Sequence, residues 1–365
     1  MTHDQQTVCR RRLRQLQTQL EPAGVDAFLL HTGPSLRYYC GFTGDSSYLV
    51  VRPGEAVFCT DGRYTTQAAG ELPPEIEIRL LTPGNGLARQ LAAFAPRRLG
   101  VEEQSLPVAR SRQLQQEISG LEIVFCQQRI TAPRQRKDAG ELQEIRRAVA
   151  VAEEAYRAAR PLLRPGISER EIALELEYQM KRRGAERTAF DLIVASGYRA
   201  ALPHGLAADK PLAPGDPVTI DFGACCRGYH SDQTCTLFLG EPDREQRQVY
   251  EVLFQAQQTG MAAAQTGMAA KELDRTVREV INQAGYGEFF SHGTGHGVGL
   301  EIHEAPSISA ASDQQLAAGM VFTVEPGCYF PHRWGIRLED MVVLEEDGAR
   351  RLTTLDKRLD QAIVD

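Results

Sequence analysis

Leu212-Ala-Pro-Gly-Asp-Pro-Val-Thr-Ile-Asp221 returns 104 residues later as Leu316-Ala-Ala-Gly-Met-Val-Phe-Thr-Val-Glu325, sharing Leu, Ala, Gly and Thr and closing on a carboxylate in both copies. An apolar run that ends in an acid reads as a strand delivering a charge at its tip. A second acid follows each time, because Gly228-Tyr-His-Ser-Asp232 parallels Gly335-Ile-Arg-Leu-Glu339 at an offset of 107. Upstream, Gly166-Ile-Ser-Glu-Arg-Glu-Ile172 matches Gly267-Met-Ala-Ala-Lys-Glu-Leu273 at an offset of 101, which also aligns Met180 with Ile281 and Gly184 with Gly285. That passage predicts a loop, an amphipathic helix and a glycine C-cap in each copy. Short glycine-containing strings can match by chance, but three matches in order with slowly growing offsets point to an internal duplication. The expected fold is therefore pseudo-twofold, with two acids from each half.

The turn residues Arg227-Gly228 sit roughly midway between Asp221 and Asp232, so the segment predicts a hairpin. Strands paired about that turn set the two acids face to face, at about 4.5–5.5 Å between Cβ atoms, where like charges repel. A cation between them removes the penalty; two separately solvated carboxylates are the alternative. In the second copy Glu325 follows Val321-Phe322-Thr323-Val324, and Glu339 leads into Met341-Val342-Val343-Leu344. Four carboxylates with an imidazole suit a pair of divalent ions such as Mn²⁺, Co²⁺ or Zn²⁺, which can activate water and polarise a carbonyl.

The imidazole is sought in Ser291-His292-Gly293-Thr294-Gly295-His296-Gly297-Val298-Gly299-Leu300, where alternate glycines let backbone approach a ligand closely. The run is no phosphate loop: Val298 breaks G-x-G-x-x-G and no Lys-Ser/Thr follows. His303-Glu304-Ala305-Pro306 lacks the second histidine of H-E-x-x-H. One such histidine alone is usually structural, whereas three within twelve residues favour an active site. His204, in Leu202-Pro203-His204-Gly205, reads in isolation as a loop histidine.

Outside the duplicated part, residues 1–131 alternate strand-like runs (27–30, 48–51, 56–59) with helical stretches such as 87–95 and predict a mixed α/β domain. The polar stretch Thr131–Asp138 marks the expected boundary, leaving 132–365 as the second domain. A formal charge of −7 gives no basic surface for nucleic acid, and Arg10-Arg11-Arg12 are expected on a solvated helix face. Eight cysteines form no C-x-x-C pair and are read as reduced thiols. With no apolar leader and no run near the ~18 apolar residues of a spanning helix, a cytoplasmic protein without membrane contact is expected.

Asp221, Asp232, His296 in Gly-Thr-Gly-His-Gly-Val-Gly, Glu325 in Val-Glu-Pro-Gly and Glu339 in Arg-Leu-Glu-Asp together resemble the metallopeptidase family of Xaa-Pro aminopeptidases, Xaa-Pro dipeptidases (prolidases) and methionine aminopeptidases. Thr60-Asp61-Gly62-Arg63-Tyr64 and Tyr38-Tyr39-Cys40-Gly41-Phe42-Thr43-Gly44 resemble its prolyl-specific branch. The resemblance implies an α/β (α+β) architecture: a creatinase-like N-terminal domain, then a pita-bread catalytic domain. It implies metal ligands Asp221, Asp232, His296, Glu325 and Glu339 holding two divalent ions, Mn²⁺ before Co²⁺ or Zn²⁺. Glu325 is implied as proton shuttle, His204 and His303 as groups that stabilise the tetrahedral intermediate or orient substrate, and His292, Tyr329 and Arg337 as their supports, with Arg337 holding a ligand carboxylate. The implied activity is hydrolysis of the bond between an N-terminal residue and proline, by a hydroxide that two metals activate. The implied partners are small proline-containing peptides and a second copy in a homodimer. A dipeptidase restricted to Xaa-Pro, a creatine amidinohydrolase and a non-catalytic peptide-binding relative are the alternatives. Arg199 and Cys235 depart from the family pattern, Arg199 standing where many members carry Asn.

Overall fold

Short apolar runs in the first third of the chain build one sheet. The computed structural model describes residues 3–364 and divides into two units between Arg134 and Gln135. In the first unit six strands lie in the order Glu77–Leu80, Glu55–Thr60, Tyr48–Arg52, Ala27–Leu30, Arg98–Val101, Glu122–Phe125. Ala27–Leu30 is buried throughout, antiparallel to Tyr48–Arg52 and parallel to Arg98–Val101, as its unbroken apolar sequence requires. One expectation changes here. Arg12 is buried rather than solvated: its guanidinium stacks 3.8 Å from the centre of the Tyr38 ring and donates to the Tyr38 carbonyl. A planar cation that finds an aromatic face and an acceptor can leave water. The polar stretch from Thr131 runs in a helix, Gln127–Gln135, whose Ile130 carbonyl accepts the buried Tyr39 hydroxyl at 2.6 Å.

The second unit is built twice. Asp138 caps the helix Ala139–Ala159 in a capping box with Glu141, and Asp243 caps Arg244–Ala263 with Gln246. Each long helix packs on the next, Glu169–Arg182 in the first half and Ala270–Gln283 in the second. Gly184 (φ +96°) and Gly285 (φ +84°) follow those shorter helices in the left-handed region that glycine enters without strain. Strands Ile193–Ser196, Pro217–Phe222 and Gln233–Leu239 form one sheet with Ile363–Val364 at its edge. Gly295–Gly297, Val321–Val324 and Asp340–Glu345 repeat that order between the edge strands Glu304–Ile308 and Gly348–Arg351. One apolar cluster links helices and strands of both halves, including Ala152, Leu176, Ile220, Phe222, Leu253, Val277, Phe322 and Val342. Burying such faces is the main stabilising term, about 25 cal/mol per Å² of apolar surface.

Candidate active site

The acids stand where the sheets of the two halves meet, but not in the pairing expected of the first hairpin. Arg227 and Gly228 form a two-residue turn with φ +46° and +77°, which pairs Cys226 with Tyr229 and Cys225 with His230. Counting back along that ladder, Asp221 lies opposite Thr234, as observed, so Asp232 is its diagonal neighbour rather than its partner. The expectation of Asp221 facing Asp232 is therefore off by two residues. In the second half Val324 pairs with Asp340 and Gly327 with Arg337, a single register that puts Glu325 and Glu339 at matching positions.

His296 enters from the glycine-rich strand. A Cβ on Gly295 would come within 2.0 Å of the Thr323 carbonyl, so only glycine lets this strand lie so close to its neighbour. The His296 amide donates to Thr323 Oγ1 at 3.1 Å, and the ring Nε2 lies 3.5 Å from both Asp232 Oδ2 and Glu325 Oε1. Asp232, His296 and Glu339 each bring a ligand atom within 4.8 Å of the others. Asp221 is held by Arg337, whose Nη2 donates to its Oδ2 at 2.7 Å. Among the described residues, its buried Oδ1 has no hydrogen-bond partner.

Arg337 is the hub of the support. It also donates to Thr234 Oγ1 (3.0 Å), the Pro203 carbonyl (3.0 Å) and Tyr329 Oη (2.9 Å). Tyr329 Oη is 2.9 Å from His292 Nε2, and the Thr234 hydroxyl donates a hydrogen bond to Glu339 Oε2 at 2.7 Å. The His303 ring stands edge-on to His296, 4.1 Å between centres. His204, His303, His292 and all five proposed ligands line a cavity of about 640 Å³, together with the apolar side chains Phe190, Ile193, Leu206 and Ile302. Tyr329 lies behind that wall.

Burial controls the charge of these groups. It raises Asp232 well above the usual carboxylate range, and Glu339, Asp221 and Glu325 push it further. Glu339 rises likewise by burial, then by Glu325 and Asp221. Glu325 is raised to about 7 by burial, and Asp221 is raised by burial against the pull of Arg337. Burial lowers His296 to about 3 and His292 to about 4, and also depresses His303, so all three imidazoles are neutral at pH 7. Neutral imidazole is the form that ligates a metal.

Three supports escaped the sequence reading: Thr234, Thr323 and Asp274. Thr323 donates to Glu325 Oε1 at 3.1 Å, and its presence in both copies of the repeat was an available signal. Buried Asp274 accepts from Thr294 N (3.0 Å) and Oγ1 (2.9 Å), two residues before His296, and nothing local in the sequence marks it.

Comparison with protein-family models matches residues 143–346 to Metallopeptidase family M24. The chain belongs to that family. Residues 12–136 match the Creatinase/Prolidase N-terminal domain, so this M24 peptidase carries a creatinase-like domain ahead of its pita-bread catalytic domain. It is similar to an Xaa-Pro dipeptidase of Pyrococcus horikoshii, 35% identical over 343 residues, spanning 93% of this chain and 96% of the relative. Among solved structures it resembles the Xaa-Pro dipeptidase from Bacillus anthracis, with a TM-score of 0.92, 36% identity and coverage of 98% and 100%. It also resembles the X-Pro aminopeptidase from Thermotoga maritima, with a TM-score of 0.89, 37% identity and coverage of 96% and 99%.

Membership of a metallopeptidase family implies divalent metal ions, and the M24 site of this chain fits them. A cluster of buried carboxylates raises its own proton affinity unless a cation neutralises it, and Asp221 Oδ1 is left with an unused lone pair. The donors are oxygens and one imidazole nitrogen with no thiolate, a set for borderline or hard divalent ions.

Proposed function

We propose that the chain hydrolyses the peptide bond between an N-terminal residue and proline, as an Xaa-Pro aminopeptidase with two divalent ions. The convergence of Asp221, Asp232, Glu325, Glu339 and neutral His296 on one cavity carries this reading. In it, Asp221, Asp232, His296, Glu325 and Glu339 hold the ions. Bound there, the ions supply a nucleophilic water at neutral pH and polarise the scissile carbonyl.

The chain's own residues do the rest. Glu325 takes the proton of the attacking water and returns it to the proline nitrogen as the bond breaks. Thr323 fixes Glu325 Oε1 by hydrogen bond and so orients the carboxylate for that transfer. His303, neutral at pH 7, and His204 offer ring N–H groups to the oxygen that gains charge in the tetrahedral state. Arg337 bonds the Asp221 carboxylate, Tyr329 accepts from Arg337, and His292 fixes Tyr329. Phe190, Ile193, Leu206 and Ile302 give the pyrrolidine ring and its neighbour an apolar wall that sheds water.

A dipeptidase that accepts only Xaa-Pro is the second reading, favoured by the names of the Pyrococcus horikoshii and Bacillus anthracis relatives. The two separate on Ala-Pro and Ala-Pro-Ala given to chelated and then Mn²⁺-reconstituted protein, with released alanine followed by mass spectrometry. Metal-dependent release from the tripeptide supports the aminopeptidase, release from the dipeptide alone supports the dipeptidase, and release from neither overturns both. Mn²⁺ as resident ion and a homodimer belong to the same reading. Metal analysis of the purified protein and its mass in solution test them.

A further inference from the structure

Arg199 stands outside the cavity wall, yet it closes a set of contacts whose purpose becomes clear only with respect to His204. The segment Leu202–Ala208 carries His204 and has no strand ladder of its own beyond a single bridge between Leu206 and Ile193. Its two shoulders are held by two arginines. Before the histidine, Arg337 donates to the Pro203 carbonyl at 3.0 Å; after it, Arg199 Nη2 donates to the Leu206 carbonyl at 2.5 Å.

Arg199 is in turn fixed by Glu169, the first residue of the helix Glu169–Arg182 and 0% exposed. Glu169 Oε2 accepts from Arg199 Nε (2.9 Å) and from the Ala208 amide (3.1 Å), while Oε1 accepts from Ser196 N and Oγ (both 2.8 Å). A buried carboxylate with four donors is a rigid anchor, since moving any of them leaves charge unsatisfied. The planar fork of a guanidinium can bond carboxylate and carbonyl at once in fixed geometry, which a flexible ammonium cannot.

The other half of the unit contains the same device beside its own histidines. Buried Asp274 anchors Thr294 and pairs with Arg278 at 3.2 Å, and Arg278 donates to the carbonyls of Phe290 (3.0 Å) and His292 (2.7 Å). Twice, then, a buried helix carboxylate fixes an arginine that holds the backbone next to a cavity histidine.

We propose that Arg199 is a positioning residue that sets the His204 ring in the cavity by clamping Leu202–Ala208 to Glu169. The catalytic part of this inference rests on the Xaa-Pro peptidase reading; the clamp itself does not. Two measurements therefore run in parallel on the full-length, Mn²⁺-loaded protein. The first is hydrogen exchange at the amides of 204–208 in wild type and Arg199→Met. Faster exchange there, with the rest of the sheet unchanged, is expected, and unchanged exchange overturns the clamp.

The second is a double-mutant cycle on Ala-Pro-Ala or Ala-Pro, whichever the wild type cleaves, with Arg199→Met, His204→Ala and both together. Arg199→Met should lower kcat about tenfold with metal content intact, a loss of the size that small misplacement of a catalytic group brings. Because Arg199 acts through His204, the double variant should fall no further than about twofold below His204→Ala alone. Losses that multiply would overturn the positioning role and leave Arg199 as general scaffolding. Arg199→Lys keeps the charge and loses the fork, so it should restore less than half of the lost kcat; full restoration would also count against the clamp. Absence of cleavage by the wild type would fell the peptidase reading, and the exchange measurement would still decide the clamp.

Discussion

The two halves of the second unit agree in backbone detail and differ at the acids. The amides of Gly166 and Gly267 donate to the carbonyls of Leu212 (2.9 Å) and Leu316 (2.8 Å), and those leucines donate back to Ile167 and Met268, both at 2.8 Å. The helix-start amides of Glu169 and Arg170 hold Lys210 and Ala208, as those of Ala270 and Lys271 hold Gln314 and Ser312. Even the surface pair Arg170–Asp209 has its counterpart in Lys271–Asp313. Against this sameness, eleven positions separate Asp221 from Asp232, and fourteen separate Glu325 from Glu339. The shorter connection leaves Asp221 opposite Thr234, and the longer one sets its two acids at matching positions. A duplicated scaffold thus offers two different carboxylate geometries, and Thr234 of the first half fills the gap by bonding Glu339 of the second.

The largest effect expected from breaking this arrangement comes at the two acids that cluster with His296 within 4.8 Å. Asp232→Ala and Glu339→Ala should each lower kcat/KM by at least about a thousandfold and reduce bound metal, measured by metal analysis alongside turnover. Loss in one half only would mean that the halves do not share the ions. His204→Ala should lower kcat by about a hundredfold with metal content near normal, the usual cost of removing a donor to developing charge. Metal loss in that variant would make His204 a ligand.

The contribution of Glu325 to stability should depend on pH while metal is absent. The folded-state pKa of Glu325, about 7, lies above its ordinary value, so the native chain holds a proton that the unfolded chain gives up. That contribution to the stability of the metal-free protein is complete below the ordinary glutamate range and is lost as pH rises from about 5 through 7, while the buried neutral imidazoles of His292 and His296 contribute in the opposite sense. Melting curves of metal-free wild type and Glu325→Gln across that window check the sign, the advantage of the wild type falling as pH rises. The smallest effect is expected for Thr234→Val, which keeps the β-branched shape and removes the bonds to Glu339 and Arg337: about a tenfold loss in kcat/KM with metal retained.

Much of this was legible in order and little in register. The repeat exposed the four acids, the Arg227-Gly228 turn and the left-handed Gly184 and Gly285, because these depend on local chemistry read along the chain. The Asp221–Thr234 pairing was not legible from counting acids, since a side-chain period of two makes a shift of two residues invisible to the apolar pattern. Arg12 and Asp274 were hidden for another reason. Both are charges made tolerable by partners distant in sequence, Tyr38 for one and Thr294 for the other, and composition counts them as solvated. Arg199 drew notice only as a departure from a family pattern; its bond to Glu169, thirty positions away, gives it a structural meaning.

The splitting of the acids between the halves also sets a timetable for synthesis. Asp221 and Asp232 leave the ribosome with no Glu325, Glu339 or His296 beside them, and 107 further residues must be added after Asp232 before Glu339 exists. At about 5–20 residues per second that interval is roughly 5–20 s, during which the first half carries its two acids without the concentrated negative charge of all four. Only the strands around Glu325 and Glu339 complete the cluster, so the demand for a counter-cation arises well after the first two acids have been made.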